Sequence, residues 1–214
     1  MKWDFIIVHE SAHEWWGNNI TAKDQADMWL HESFANYAEG LYAECHDGKQ
    51  AGAEYIIGSR RNIKNDEPIV APYGVNAEGS GDMYYKGGSM LHMIRQLVND
   101  DEKWRRILRG IQSTFWHQTV TGAQVEAYIS HASGLDLGRV FQQYLTTVDI
   151  PVLEYRNTGS STAYRWTNVV NGFAMPVRAN GALLHPTESW KTMTRTDTLV
   201  VDPDFYVQAK KVAP

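Results

Sequence analysis

The period of apolar residues changes once along this chain of 214 residues, close to Ile150-Pro151. Upstream, apolar side chains recur every three to four positions, the spacing that puts them on one face of a helix. Helices are expected over 4–16, 28–45, 50–63, 84–98, 103–115, 123–133 and 137–146. Downstream the runs shorten and become β-prone, and strands are expected over 152–156, 164–170, 174–178, 182–185, 199–201 and 205–208. Turn residues separate them, with Asn180-Gly181 a strong two-residue hairpin signal. Helices first and strands afterwards make an α+β chain. Residues 1–150 are expected to form a helical unit and 151–214 a small antiparallel β-sandwich. The connection over 66–83 is rich in Gly, Pro, Asn and Ser, and its length suits either a binding loop or a plain surface excursion.

Composition narrows the function classes. With 43% hydrophobic and 21% charged residues the chain is ordinary for a globular protein, which excludes disorder. A net charge of -5 without any basic cluster argues against a nucleic-acid or anionic-membrane partner, leaving a small or peptidic substrate. No apolar run nears the roughly 18 residues needed to cross a bilayer. The opening is not a secretory signal either, because Lys2 and Asp4 lead directly into His9 and Glu10. The single Cys45 excludes an internal disulfide, leaves cytoplasm and periplasm both open, and is expected to be a buried small side chain. No pattern bears on oligomeric state.

The chemistry concentrates in His9-Glu10-Ser11-Ala12-His13, an HExxH pattern inside the first helical segment. Residues four apart on a helix are separated by about 6 Å along the axis and about 40° around it, so two imidazoles can face one ion. A shuffled chain of this composition would hold about 0.02 such matches; the plain alternative is a helix with two surface histidines. A catalytic zinc needs three protein ligands and one open position. Glu32, separated from His13 by 18 intervening residues and at the start of the next helix, is favoured as the third. Glu14 and His31 are the alternatives, although Glu14 points about 100° away from His13 and His31 faces another side of its own helix. The remaining histidines, 46, 92, 117, 131 and 185, lack ligand spacing, and the eight tryptophans read as packing. Trp15 and Trp16 are expected behind the metal helix.

These residues, with Trp15 to Asn18 and Trp29 to Ala35, resemble the aminopeptidase N family of gluzincin metallopeptidases. A further block, Tyr84-Tyr85-Lys86-Gly87, is similar to that family's Tyr-x-Lys-Gly segment. The resemblance implies the helical C-terminal half of a thermolysin-like catalytic domain, followed by a small β-domain. It implies one Zn2+ per chain on His9, His13 and Glu32, with a peptide as substrate. Glu10 would be the general base, and Tyr84 the hydrogen-bond donor to the oxyanion, with Tyr85 the candidate if the register slips by one; Lys86 receives no role.

Two departures accompany the likeness. His31 and Ser33 stand where the family commonly has Asn and Gly. The family's Gly-x-Met-Glu-Asn segment, whose Glu holds the substrate amine, is absent, and only eight residues precede His9. The expectation is therefore a truncated catalytic piece of an aminopeptidase. Its alternatives are a zinc-binding but incompetent or interaction module, and an endopeptidase with an unblocked cleft.

Overall fold

The computed structural model describes residues 3–213. The helices are α1 (Phe5–Ala12), α2 (Trp29–Asp47), α3 (Lys49–Ser59), α4 (Asp82–Val98), α5 (Asp101–Thr114), α6 (Gly122–Ser133) and α7 (Gly138–Thr146). The strands are β1 (Ile20–Ala22), β2 (Gln118–Val120), β3 (Val152–Thr158), β4 (Ser161–Thr167), β5 (Val177–Ala179), β6 (Ala182–Leu184), β7 (Lys191–Thr194) and β8 (Gln208–Lys211). No helix among the described residues is long and apolar enough to cross a membrane.

Helix starts follow side-chain chemistry. Asp4 accepts the Ile6 N–H at 3.1 Å to begin α1, Asp100 accepts the Lys103 N–H at 2.9 Å to begin α5, and Thr121 with Gln124 forms a reciprocal capping box on α6. The first helix ends four residues before the expected boundary. After His13 the chain turns through Gly17, whose φ of 148° suits glycine, and enters β1. Trp16 stacks on Phe34 with ring centroids 4.0 Å apart, while Trp15 stays exposed.

At the centre lies α2, packed by α1, α3 and α4. Its Trp29, Leu30, Phe34, Tyr37 and Ala43 are buried at helical spacing, against Met90, Leu91, Met93 and Ile94 of α4. The approach of α2 to α4 is set by small residues. A Cβ on Gly87 would fall 1.8 Å from Ser33 Oγ, and one on Gly88 would fall 2.2 Å from Asn36 Oδ1. Ser33 Oγ donates to Met83 O at 2.6 Å across this contact. Cys45 corrects an expectation: it is exposed, because it lies about 200° around α2 from the buried Ala43.

Strands β1 and β2 pair in parallel, Ile20 with Gln118 through Ala22 with Val120. In the C-terminal region four strands form a sheet in the order β7-β4-β3-β8, and β5-β6 is a separate hairpin. The expected antiparallel pattern needs one correction, since β8 runs parallel to β3, pairing Val152 with Gln208. A parallel partner needs a long crossover. The intervening hairpin and loops supply it, and alternation of side chains carries no information on strand direction. Residues 199–201 contribute only a single bridge, Val201 to Ala179, and β7 lies in a segment with no strand expectation.

The C-terminal region is clasped to the helices by polar contacts. The Arg60 guanidinium donates to Pro203 O at 2.5 Å, Asp204 O at 3.0 Å and Ser89 Oγ at 3.2 Å. His92 Nε2 meets Asp204 Oδ1 at 2.8 Å, while within the helical unit buried Lys86 donates to Thr147 O at 2.8 Å. The 66–81 connection is strapped down: Tyr73 OH donates to Asp27 Oδ1 and Gly74 N–H to Asp24 Oδ2, each at 2.8 Å.

Candidate metal centre and cleft

Helix α1 contributes His9 and His13, and the first turn of α2 contributes Glu32. One ligand atom from each lies within 4.8 Å of the others. His9 Nε2 is 3.1 Å and His13 Nε2 3.6 Å from Glu32 Oε2. The far side of each ring is committed. His9 Nδ1 faces Glu39 Oε1 at 2.6 Å and His13 Nδ1 faces Trp16 O at 3.0 Å. Both of those partners are acceptors, so each Nδ1 directs its N–H outward, and with an ion bound each Nε2 would present its lone pair to it. Two imidazole nitrogens and one carboxylate oxygen suit zinc and leave a fourth position open, so the residues present fit such an ion.

Electrostatics agree with that geometry. Burial alone would lower the pKa of His9, yet Glu32 and Glu39 on either side outweigh it and push it up to about 9. The two carboxylates thus favour positive charge at this position, whether as a second proton on His9 or as a bound cation.

Glu39 is a residue that sequence reasoning missed. It is only 3% exposed, and besides His9 it receives Asn36 Nδ2 at 3.4 Å and a very short hydrogen bond from the Tyr55 hydroxyl. The signal was available: Glu39 lies seven positions after Glu32, two turns along the same helical face. A carboxylate that receives the outer N–H of a ligand histidine fixes its tautomer and ring orientation.

The other expected residues have definite places. Glu10 is exposed and lines the same cleft, of about 860 Å3, as His9, His13 and Glu32. Tyr84, at the start of α4, also lines it; its ring stacks on His9 with centroids 5.8 Å apart. Burial, then the charges of Glu32 and Glu78, push its hydroxyl up to about 12, so it stays a proton donor through the neutral range. Tyr85 lines the cleft too, with its ring 6.3 Å from that of Tyr84.

The two alternative ligands sit elsewhere. Glu14 is exposed and accepts from Asn18 Nδ2 at 3.1 Å, and His31 Nε2 accepts the Ala22 N–H at 2.8 Å. Burial lowers the His31 pKa, in keeping with a neutral acceptor. The departure at Ser33 is explained by its bond to Met83 O. None of residues 66–81 lines the cleft.

Comparison with known proteins identifies the family. The peptidase family M1 domain matches residues 2–144. Among curated relatives, a probable aminopeptidase 1 of Saccharolobus solfataricus is 27% identical over 170 residues, covering 74% of this chain and 22% of that protein. Aminopeptidase N of Lactobacillus helveticus is 29% identical, covering 69% and 19%, and glutamyl aminopeptidase of Bos taurus is 26% identical, covering 84% and 19%. The chain spans about a fifth of the length of these relatives. Among solved structures, an M1 zinc metallopeptidase from Deinococcus radiodurans aligns with a TM-score of 0.59 at 25% identity, covering 70% of this chain and 34% of that one. A mutant of an M1 zinc metallopeptidase from the same organism, bound to a Tyr-Ser-Ala substrate, aligns with a TM-score of 0.58 at 25% identity, with the same coverages. With the family domain matching about two-thirds of the chain and an HExxH helix facing a glutamate from the next helix, this chain belongs to peptidase family M1.

Proposed function

We propose that this chain carries the zinc-binding part of a metallopeptidase that removes N-terminal residues from peptides, with one Zn2+ per chain. The observation that carries the reading is the convergence of His9 Nε2, His13 Nε2 and Glu32 Oε2, with both outer ring nitrogens already committed. Residues 1–150 are read as the helical half of a thermolysin-like catalytic domain and 151–214 as a small β-domain.

His9, His13 and Glu32 would hold the ion. Zinc, when bound, would polarise the scissile carbonyl and acidify a water molecule. Glu10, exposed to the cleft beside both histidines, would accept the proton of the attacking water and return it to the leaving amine. Tyr84 would donate its hydroxyl hydrogen to the developing oxyanion, a kind of contact worth on the order of 3 kcal/mol in related hydrolases. Its raised pKa supports that role, because the proton is present when needed.

The ligand set is tested by metal analysis of the wild type against Glu32→Ala and His13→Ala. Each variant is expected to lose zinc, and unchanged stoichiometry in both would remove the assignment. Glu10→Gln is expected to keep zinc and to lose any hydrolysis of an aminoacyl chromogenic amide; retained hydrolysis would exclude Glu10 as the base. Cleavage of N-terminally blocked peptides would redirect the reading to an endopeptidase.

A further inference from the structure

Two adjacent arginines follow α3 in a 3-10 turn, Arg60–Asn62, and their side chains have opposite fates. Arg60 is spent on the fold, donating to Ser89, Pro203 and Asp204. Arg61 lines the metal cleft, is exposed, and makes no hydrogen bond or ion pair among the described residues. Among the described residues it is also the one lysine or arginine in that lining, whose other charged side chains besides the two histidines are the carboxylates Glu10, Glu32, Glu39 and Glu54. Three of these are committed to the ion, to the base role or to His9. A carboxylate entering the cleft away from the ion therefore meets Arg61 as the cationic partner among the described lining residues.

Position along the helix sets the reach. Tyr55 marks the metal end, because its hydroxyl bonds Glu39, which in turn bonds His9. Arg61 is six residues further on, four of them in α3 and two in the 3-10 turn that follows, roughly 10 Å along the axis. Extended peptide advances about 3.4 Å per residue, so this span matches two to three residues. Gly58, between the two, leaves open space where a Cβ would stand, and Phe5 and Ile6 supply an apolar side to the same cleft.

We propose that Arg61 is a specificity-determining residue that binds a carboxylate of the substrate two to three residues from the metal, favouring short peptides by their C-terminus or longer ones by an acidic side chain. This rests on the metallopeptidase reading above. The guanidinium offers a two-pronged donor set matched to a carboxylate.

The test uses the full chain carrying Glu10→Gln, so that peptides survive, with zinc content measured first. Binding of tri-alanine, tri-alanine amide and an Ala-Ala-Glu amide is then measured by calorimetry. At least one carboxylate-bearing peptide is expected to bind about fivefold more tightly than tri-alanine amide, the scale of an exposed ion pair. Adding Arg61→Gln should abolish that preference while leaving the amide unchanged, and Arg61→Lys should keep part of it. Which of the two acids is preferred separates a C-terminal carboxylate from a side-chain one. Equal binding of all three peptides, no binding of any by the zinc-loaded protein, or a preference that survives Arg61→Gln would overturn the proposal. A chain that takes up no zinc would instead overturn the metallopeptidase reading.

Discussion

Replacing Gly87 by Ala tests the joint that sets Tyr84 against Glu32. The new Cβ would lie 1.8 Å from Ser33 Oγ, 2.7 Å from Ser33 Cβ and 3.6 Å from Ser33 Cα. An ordinary carbon contact is about 3.5 Å. Rotating the hydroxyl away removes the first clash at the loss of its bond to Met83 O, worth about 1 kcal/mol, but leaves the second. Helices α2 and α4 must then part, and overpacking of this kind costs about 1–3 kcal/mol. Alanine returns about 1 kcal/mol in helix propensity, so the net loss is expected near 2 kcal/mol. Partner truncation should relieve it in order. Ser33→Ala leaves the Cβ clash and should rescue in part, whereas Ser33→Gly leaves only the 3.6 Å contact and should rescue almost fully. Urea denaturation of the wild type, the single variants and both pairs gives the coupling, expected to be at least about 1.5 kcal/mol for the glycine pair. Simple additivity would refute the claim that this contact spaces the helices. A parallel loss of hydrolysis beyond the loss of folded protein is expected, since roughly 1 Å of misplacement can cost about 100-fold in rate.

Other perturbations probe separate parts. Glu39→Ala should weaken zinc binding by about 10–100-fold, measured by competition with a chelator, because His9 loses the group that orients it; an unchanged affinity would deny Glu39 that role. Glu126 is held up to about 7 by burial and then by Asp27. Its folded pKa exceeds the unfolded value, so it destabilises the fold increasingly as pH rises from about 4.5 to 7 and fully above that. Glu126→Gln should therefore stabilise the protein at pH 8 by about 1–3 kcal/mol and have little effect at pH 4; equal effects at both values would contradict the sign. Arg60→Met removes three donors from the C-terminal clasp, and amide exchange over residues 202–207 should accelerate relative to α4.

Much of this architecture could be read from the chain because its helices are amphipathic and capped. All seven expected helices are present, and the largest shifts, four residues at the C-terminal ends of α1 and α3, come from the turn that Gly17 permits and from the 3-10 turn over Arg60–Asn62. Strands were less legible. Lys191, Thr192, Met193 and Thr194 of β7 are mostly exposed on a sheet edge and show no apolar alternation, while β1 and β2 are three residues each and exist only because they pair with each other. In the site, His9, His13 and Glu32 announce themselves by spacing along and between helices. Glu39 does not, because a lone glutamate in a helix reads as a solvated charge until the fold buries it. Arg60 and Arg61 are likewise indistinguishable as letters, and only the course of the C-terminal segment decides which of them is occupied.

The short parallel ladder between Ile20–Ala22 and Gln118–Val120 joins segments 98 positions apart. The turn that carries Trp16 O, the acceptor for His13, leads straight into it. Closing so long a loop costs entropy before any contact repays it, so this pairing is expected late in folding. During synthesis the first 13 residues, with both histidines, emerge long before the strand that steadies the turn behind them. Metal uptake would then report on completion of the helical unit rather than on formation of α1, and it could serve as a clock for the order in which the parts of this protein assemble.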